Sequence, residues 1–403
     1  IQRGETIAII GDMAKKPRYQ GAGSSITKPE KLDNVIECLE KEKIPFEYAK
    51  GYSRIESKED KVLIQEACKV AKEKDKVILF IGLTENYETE GIDRKNLHIP
   101  QNQQKLVQEI SKVNSNIIIV LAGGAPIEMP WEPNVKAIVH GYLGGQAGAK
   151  AMVRVLMGEI NPSGKLSETY PKKLEDTPCY ENFPGNETRV QYKESIYVGY
   201  RYYDKAKVEV LFPFGHGLSY TEFEYSDLKV QSKEINWKEN NEIQVSFKVK
   251  NIGEVAGAEI SQLYISQVSP NIYKADKELR GFSKVFLKPK EERKIILSID
   301  KRAFSYYNIE KKDWAIESGS YKILIGKSSR DIQLGEIVEI ISEDTNISTS
   351  YSDHYKKAQV REVSEEEFEQ LFTEKVPTIK QKEKVITMDH TLEQTKHTLI
   401  GKI

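Results

Sequence analysis

Residues 1 to about 185 alternate short unbroken apolar runs with helical spacings. Thr6–Gly11 is apolar and closes on Gly-Asp, Lys76–Gly82 reads KVILFIG, and Asn116–Ala122 reads NIIIVLA. Lys136–His140 is a shorter run of the same kind. Between these runs, Leu32–Leu39 has helical spacing, and Gln104–Val113 places Leu106, Val107 and Ile110 on one face. A further helix is predicted over Ala149–Met157. Short strands without polar alternation, set between helices, predict a parallel sheet covered on both faces. Right-handed crossovers then give a doubly wound α/β domain. Ligands of such sheets sit beyond the carboxyl ends of the strands, which here lead into loops from Gly11, Gly82 and Gly123 onward.

The pattern changes after residue 185. Residues 186–225 are rich in Tyr, Phe, Gly and Pro, with YVGYRYY at Tyr197–Tyr203 and LFPFGHGLSY at Leu211–Tyr220. A flexible linker is rich in Gly and Ser and poor in aromatics, so this segment reads as a packed connector. Residues 226–341 turn to period two: Ile243, Val245, Phe247 and Val249 alternate with polar residues, as do Ile295, Leu297 and Ile299, and Tyr321, Ile323 and Ile325. With turn signals such as Ser318–Gly319, this predicts a small antiparallel sandwich. Residues 342–403 are polar and carry two capping-box spacings, Ser364-x-x-Glu367 and Thr391-x-x-Gln394. This tail is expected to be partly helical and to wrap the other domains.

A chain of 403 residues exceeds what one core usually absorbs, which agrees with several domains. Sixty Lys and Arg against 61 Asp and Glu leave a formal charge of −1, which argues against nucleic acid or a membrane surface as partner. No apolar run is long enough to cross a bilayer. The cysteines are Cys38, Cys68 and Cys179. Three cannot all pair and none has metal-ligand spacing, so Cys38 and Cys68 read as buried thiols and a reducing, cytoplasmic setting is expected. The chain begins at Ile1 without Met and stops at Ile403 without a clear cap. Both ends read as those of a piece of a longer chain, and a lost N-terminus could carry a signal.

The stretch richest in chemistry is Glu85–Pro100, ENYETEGIDRKNLHIP, which follows the strand ending at Gly82. It gathers Glu85, Glu88, Glu90, Asp93 and Arg94 around one glycine. Glycoside hydrolysis needs a carboxyl group that gives and takes a proton beside the scissile oxygen, and a loop can carry one into a neighbouring domain. On composition alone a solvated acidic loop is the commoner reading. Asp93 beside Arg94 is likewise more often a loop salt bridge than a substrate clamp. The second stretch, PRYQGAGSSITKP at Pro17–Pro29, has Gly21 and Gly23, which let backbone approach a ligand, and the hydroxyls of Ser24 and Ser25. It reads equally as a flexible turn. A phosphate cradle is the weaker rival, because the spacing is neither G-x-G-x-x-G nor G-x-x-x-x-G-K-[ST].

Nucleophile arrangements are missing: there is no G-x-S-x-G, and no Cys has a plausible His partner. His98, His140, His216, His354, His390 and His397 are scattered, so no metal or other cofactor is expected. His216, in Pro-Phe-Gly-His-Gly, reads as structural, and Trp131 as core or domain contact rather than a sugar platform.

Taken together, these words resemble the C-terminal part of β-glucosidase-like enzymes of glycoside hydrolase family 3. The matching segments are RYQGAGSS at Arg18–Ser25, EGIDR at Glu90–Arg94, LHIPQNQ at Leu97–Gln103, GAPIEMPW at Gly124–Trp131, GGQAGAKA at Gly144–Ala151 and GEINPSGKL at Gly158–Leu166. YVGYRYYD at Tyr197–Asp204, FPFGHGLSYT at Phe212–Thr221, KELRGFSKV at Lys277–Val285 and KRAFSYYN at Lys301–Asn308 follow in order. Each word is weak alone; their ordered agreement is specific. The resemblance implies an α/β sandwich over 1–185 and a fibronectin-III-like sandwich over 226–341. It also implies a preceding β/α barrel that this chain has no room for, since a barrel takes about 250 residues. It assigns Glu90 as acid/base and Ser24, with Gly23, as contacts to the sugar. Asp93 and Arg94 are then loop support, Glu85 and Glu88 are alternative acids, and the aspartate nucleophile lies in the barrel.

The implied reaction is retaining hydrolysis of a terminal non-reducing β-linked sugar from an oligosaccharide or an aryl or alkyl glycoside. Glu90 should then have a raised pKa, through the charge of the nucleophile. This chain alone is expected to be inactive. Two other classes stay open: a non-catalytic carbohydrate-binding or accessory half-protein that pairs with a separate barrel chain, and, less favoured, nucleotide binding by the α/β domain.

Overall fold

The computed structural model describes residues 1–2, 4–185, 189–237, 242–344 and 351–376, with Thr395 and Thr398. The second predicted capping box, Thr391 to Gln394, lies outside the described residues, as do His390 and His397.

The first domain is a five-stranded parallel sheet, β1 (Ile7–Ile10), β2 (Glu47–Ala49), β3 (Lys76–Gly82), β4 (Ile117–Ala122) and β5 (Ala137–Tyr142), in the order β2-β1-β3-β4-β5. Helices α1 (Asp12–Lys15), α2 (Val35–Lys41), α3 (Lys61–Lys72) and α4 (Gln101–Ile110) lie between these strands in sequence, and α5 (Gly148–Leu156) follows β5. Every side chain of β1, and all of β3 after Lys76, is buried, as the unbroken apolar runs require of strands covered on both faces. Three elements escaped the sequence reading, the single turn α1, strand β2 and helix α3. Strand β2 is a three-residue edge strand, and α3 buries only Ile64, Ala67 and Ala71. Helix α2 starts later than its apolar spacing suggests, because the Asn34 side chain caps it by accepting from the Glu37 N–H at 3.0 Å.

The order 2-1-3-4-5 reverses direction between β1 and β3. Loops from adjacent strands leave the same edge in opposite senses there, opening the crevice in which such sheets bind ligands. At the end of β3, Gly82 lies so close to β4 that an added Cβ would come 1.9 Å from the Ala122 carbonyl oxygen. Only glycine lets the loop turn away at that point.

The remaining strands form a two-layer sandwich. One sheet pairs β13 (Glu292–Asp300), β10 (Glu242–Asn251) and β8 (Phe223–Val230). The other runs β12 (Glu278–Leu287), β11 (Gly257–Gln267), β16 (Gly319–Gly326), β17 (Ile332–Ile341) and β9 (Glu234–Asn236). The predicted alternation is real: Ile243, Val245, Phe247, Val249, Tyr321, Ile323 and Ile325 all face the core. Hairpin β14 (Tyr306–Asn308) and β15 (Asp313–Ala315) lies at one end, and β6 (Tyr170–Pro171) pairs with β7 (Val210–Phe212) beside the α/β domain.

The aromatic connector is packed. It forms helix α6 (Tyr200–Lys205), and Tyr197, Tyr202 and Tyr203 share a third core with Tyr355, Ala358, Val360 and Val363 of the tail. The tail contributes helices α7 (Asp353–Lys357) and α8 (Glu365–Phe372), the latter with the predicted Ser364–Glu367 capping box fully formed. The two main domains meet through Lys165, whose ammonium lies 3.4 Å from the buried Glu259 carboxylate of β11. Cys38 is buried, whereas Cys68 is only partly so, and burial raises the pKa of both thiols. Trp131 is core, and the half-buried His216 ring stacks on Phe212.

Candidate active site

Four loops leave the carboxyl edge of the sheet and meet. After β1 and the single turn α1 comes the Gly-rich segment around Gly21–Ser25; after β2, the loop with Arg54; after β3, the acidic loop; and after β4, Gly123–Gly124. The acidic loop holds three glutamates in very different states.

Glu85 is paired with Arg54, which also donates to the Lys16 carbonyl at 2.8 Å. Partial burial pushes the Glu85 carboxyl up, but the hydrogen bond and charge of Arg54 more than offset it, leaving the pKa below the ordinary range. Glu88 is 3.2 Å from Arg18 Nη1 and accepts from the Gly124 N–H at 3.0 Å. Both side chains are therefore spent on holding loops together. Glu90 is exposed and has no cation beside it among the described residues. Its partner is Ser24, whose N–H and hydroxyl donate to Oε2 at 2.7 and 2.5 Å. The Glu90 N–H reaches the Ala22 carbonyl at 3.3 Å, so the two predicted stretches are joined by backbone as well.

Gly23 makes this approach possible. It sits at φ +107°, and a Cβ there would come 2.5 Å from Glu90 Cβ. The resemblance implies Gly23 and Ser24 as contacts to the sugar. Their shown contact is with Glu90 itself. The Ser24 hydrogen bonds hold the Glu90 carboxyl below the usual carboxylate range, the opposite of the raised value expected for an acid. No anionic nucleophile faces Glu90 among the described residues, so the group invoked to raise its pKa is not at hand.

Arg94 supports the loop by donating to the Pro126 carbonyl at 2.9 Å. Asp93 does not share that role: it is exposed and forms no salt bridge with Arg94 or any other described residue. Two residues that build the site were not singled out from sequence. Arg18 lay inside the quoted RYQGAGSS, but a charged residue before a glycine-rich turn does not advertise burial. Arg54 follows the unrecognised edge strand β2, and no local pattern marks it.

Residues 1–220 match the model of the glycosyl hydrolase family 3 C-terminal domain, and residues 259–329 match a fibronectin type III-like domain. The chain is 51% identical over 345 residues to thermostable beta-glucosidase B of Acetivibrio thermocellus, covering 85% of this chain and 45% of that protein. It is 39% identical over 329 residues to an exo-alpha-(1->6)-L-arabinopyranosidase of Bifidobacterium breve, covering 81% and 43% respectively. Among solved structures, a beta-glucosidase of Bifidobacterium adolescentis superposes with a TM-score of 0.80 at 35% identity, over 89% of this chain and 53% of that one. The chain thus spans about half the length of the relatives it matches.

Proposed function

Because the chain belongs to glycosyl hydrolase family 3, whose C-terminal domain it contains, we propose that it is the C-terminal half of a retaining, exo-acting β-glycosidase of β-glucosidase type, with Glu90 as its acid/base. One observation carries this reading. Of the three glutamates on the acidic loop, Glu85 and Glu88 are held by arginines, while Glu90 alone is exposed, beside the crevice between β1 and β3, with no cation near it among the described residues.

In the proposed reaction an aspartate from a β/α barrel attacks the anomeric carbon. The glycosidic C–O bond breaks as Glu90 gives its proton to the leaving oxygen. In the second step Glu90 takes a proton from water, which displaces the aspartate. Retention places the two carboxyls about 5–5.5 Å apart, so the acidic loop must dock on the barrel mouth. Ser24 favours the charged form of Glu90; the aspartate's charge at that distance favours the neutral form and opposes it. Docking therefore arms the acid.

The choice of glycone is assigned mainly to the barrel. Relatives of this half at 51% and 39% identity carry beta-glucosidase and arabinopyranosidase names. Without a nucleophile, this chain by itself should not hydrolyse an aryl β-glucoside, and adding a barrel chain should restore turnover. In the complete enzyme, Glu90→Gln should cut turnover of alkyl glucosides, which need protonation, far more than that of nitrophenyl glucosides. Equal losses on both would remove the acid role, and turnover by the chain alone would place a nucleophile within it.

A further inference from the structure

The hydrogen bonds to Glu90 carry one step further, on the reading that it is the acid/base. Ser24 donates twice, and both donors fall on one atom, Oε2, at 2.7 Å from the amide and 2.5 Å from the hydroxyl. Among the described residues no donor reaches Oε1. The carboxyl also lies across the Cα of Gly23, where an added Cβ would be 2.7 Å from that same Oε2. A carboxyl oxygen that already accepts two hydrogen bonds cannot take a proton without turning a donor away. The other oxygen can.

We propose that Ser24 is a positioning residue for Glu90, pinning Oε2 so that Oε1 is the oxygen that gives and takes the proton. This role is distinct from a contact between Ser24 and the sugar. A lost sugar contact weakens binding alike for all leaving groups on one sugar, and shows chiefly in KM. A mispositioned acid lowers kcat, most where the leaving group is poor. It also moves the alkaline limb of the pH–rate profile, which reports the acid.

The first measurement is the carboxyl 13C titration of Glu90 in the 403-residue chain. Ser24→Ala should raise the midpoint by about half a pH unit or more, because a hydrogen bond to the charged form is lost, and Ser24→Thr should keep it near the wild-type value. An unchanged midpoint in Ser24→Ala, or equal midpoints for Ala and Thr, overturns the proposal. In the complete enzyme, Ser24→Ala should lower kcat on an alkyl glucoside about tenfold more than on a nitrophenyl glucoside and shift the alkaline limb upward. Gly23→Ala keeps the hydroxyl but pushes Glu90 away, and should give the same leaving-group dependence. An effect confined to KM would instead make Ser24 a sugar contact and overturn the positioning role. Glu90→Gln assayed alongside separates the two claims: if it shows no leaving-group dependence, the acid/base assignment fails, whatever Ser24 does.

Discussion

Arg18 and Glu88 meet as an ion pair whose cation is entirely out of solvent, with side-chain accessibilities of 0% and 19%. The same guanidinium donates to the carbonyls of Leu83 at 3.0 Å and Glu88 at 2.9 Å. One side chain from the loop after β1 thereby fixes both the end of β3 and the acidic loop, and so sets where Glu90 meets Ser24. Removing one partner of such a pair leaves an uncompensated charge, which costs about 3–5 kcal/mol. Arg18→Met should therefore lower unfolding stability in urea by roughly 3 kcal/mol. The double variant Arg18→Met/Glu88→Gln should lose less than the two single losses added together. Additive losses would show that the two side chains act independently.

Lys165 joins the domains in a similar way. Its ammonium donates to the Gly217 carbonyl at 2.8 Å and lies 3.4 Å from Glu259, which also accepts from Tyr225 at 2.9 Å. Glu259 is 2% exposed, so it depends on this cation. Lys165→Met should cost about 3 kcal/mol and separate the unfolding of the α/β domain from that of the sandwich. A single transition with an unchanged midpoint in calorimetry would deny Lys165 that coupling role.

His140, on β5, supplies a pH dependence. Its Nδ1 accepts from the Tyr142 N–H at 3.2 Å, and its Nε2 lies 2.6 Å from the Tyr170 hydroxyl. Burial lowers its pKa from 6.5 to about 4. The unfolded chain thus binds a proton between those two values while the folded chain does not. Stability falls as the pH drops through that window, by up to about 3 kcal/mol from this residue. Urea titrations near neutrality and near pH 5 should show the loss, and His140→Gln should reduce it by about one proton's worth. An unreduced slope in the variant would place the dependence elsewhere.

The tail is held to the connector by Tyr355, which is 1% exposed, and its backbone carbonyl accepts from the Tyr197 hydroxyl at 2.6 Å. Truncating a buried aromatic costs about 3–5 kcal/mol through lost contacts and the cavity left behind. Tyr355→Ala should therefore free α7 and α8 for limited proteolysis while the sandwich stays protected. Tyr197→Phe, which removes only the hydrogen bond, should cost about 1 kcal/mol. If protease cleavage of Tyr355→Ala matched wild type, this core would not be what holds the tail.

Strands β1, β3 and β4 were legible because burial on both faces demands unbroken apolar runs, and runs as short as KVILFIG and NIIIVLA suit strands better than helices. The sandwich was legible for the complementary reason, since one wet face forces period two. Edge strand β2 was not, because Glu47–Ala49 is half exposed and too short to show a period. Helix α3 hid because its buried positions are mostly small, with two alanines where larger apolar residues would mark a face. Of the site, the two loops were legible as polar stretches after strands, and the resemblance picked out Glu90, Ser24 and Gly23 within them. Asp93, which the resemblance implies as loop support, stands in solvent without a salt bridge among the described residues.

By itself, the sequence determined which segments must be buried and which loops leave the carboxyl edge of the sheet, because apolar periodicity is a local consequence of burial. Strand order was not contained in it. Only the tertiary structure set β1 beside β3, and so brought Ser24 to Glu90 across 66 residues of chain. It also sorted three similar glutamates into two held by arginines and one that, among the described residues, is held by Ser24 alone. A carboxylate's state depends on which cation and which donors lie within a few ångströms of it. Those neighbours, Arg18, Arg54 and Ser24, come from other loops that only the folded sheet places alongside.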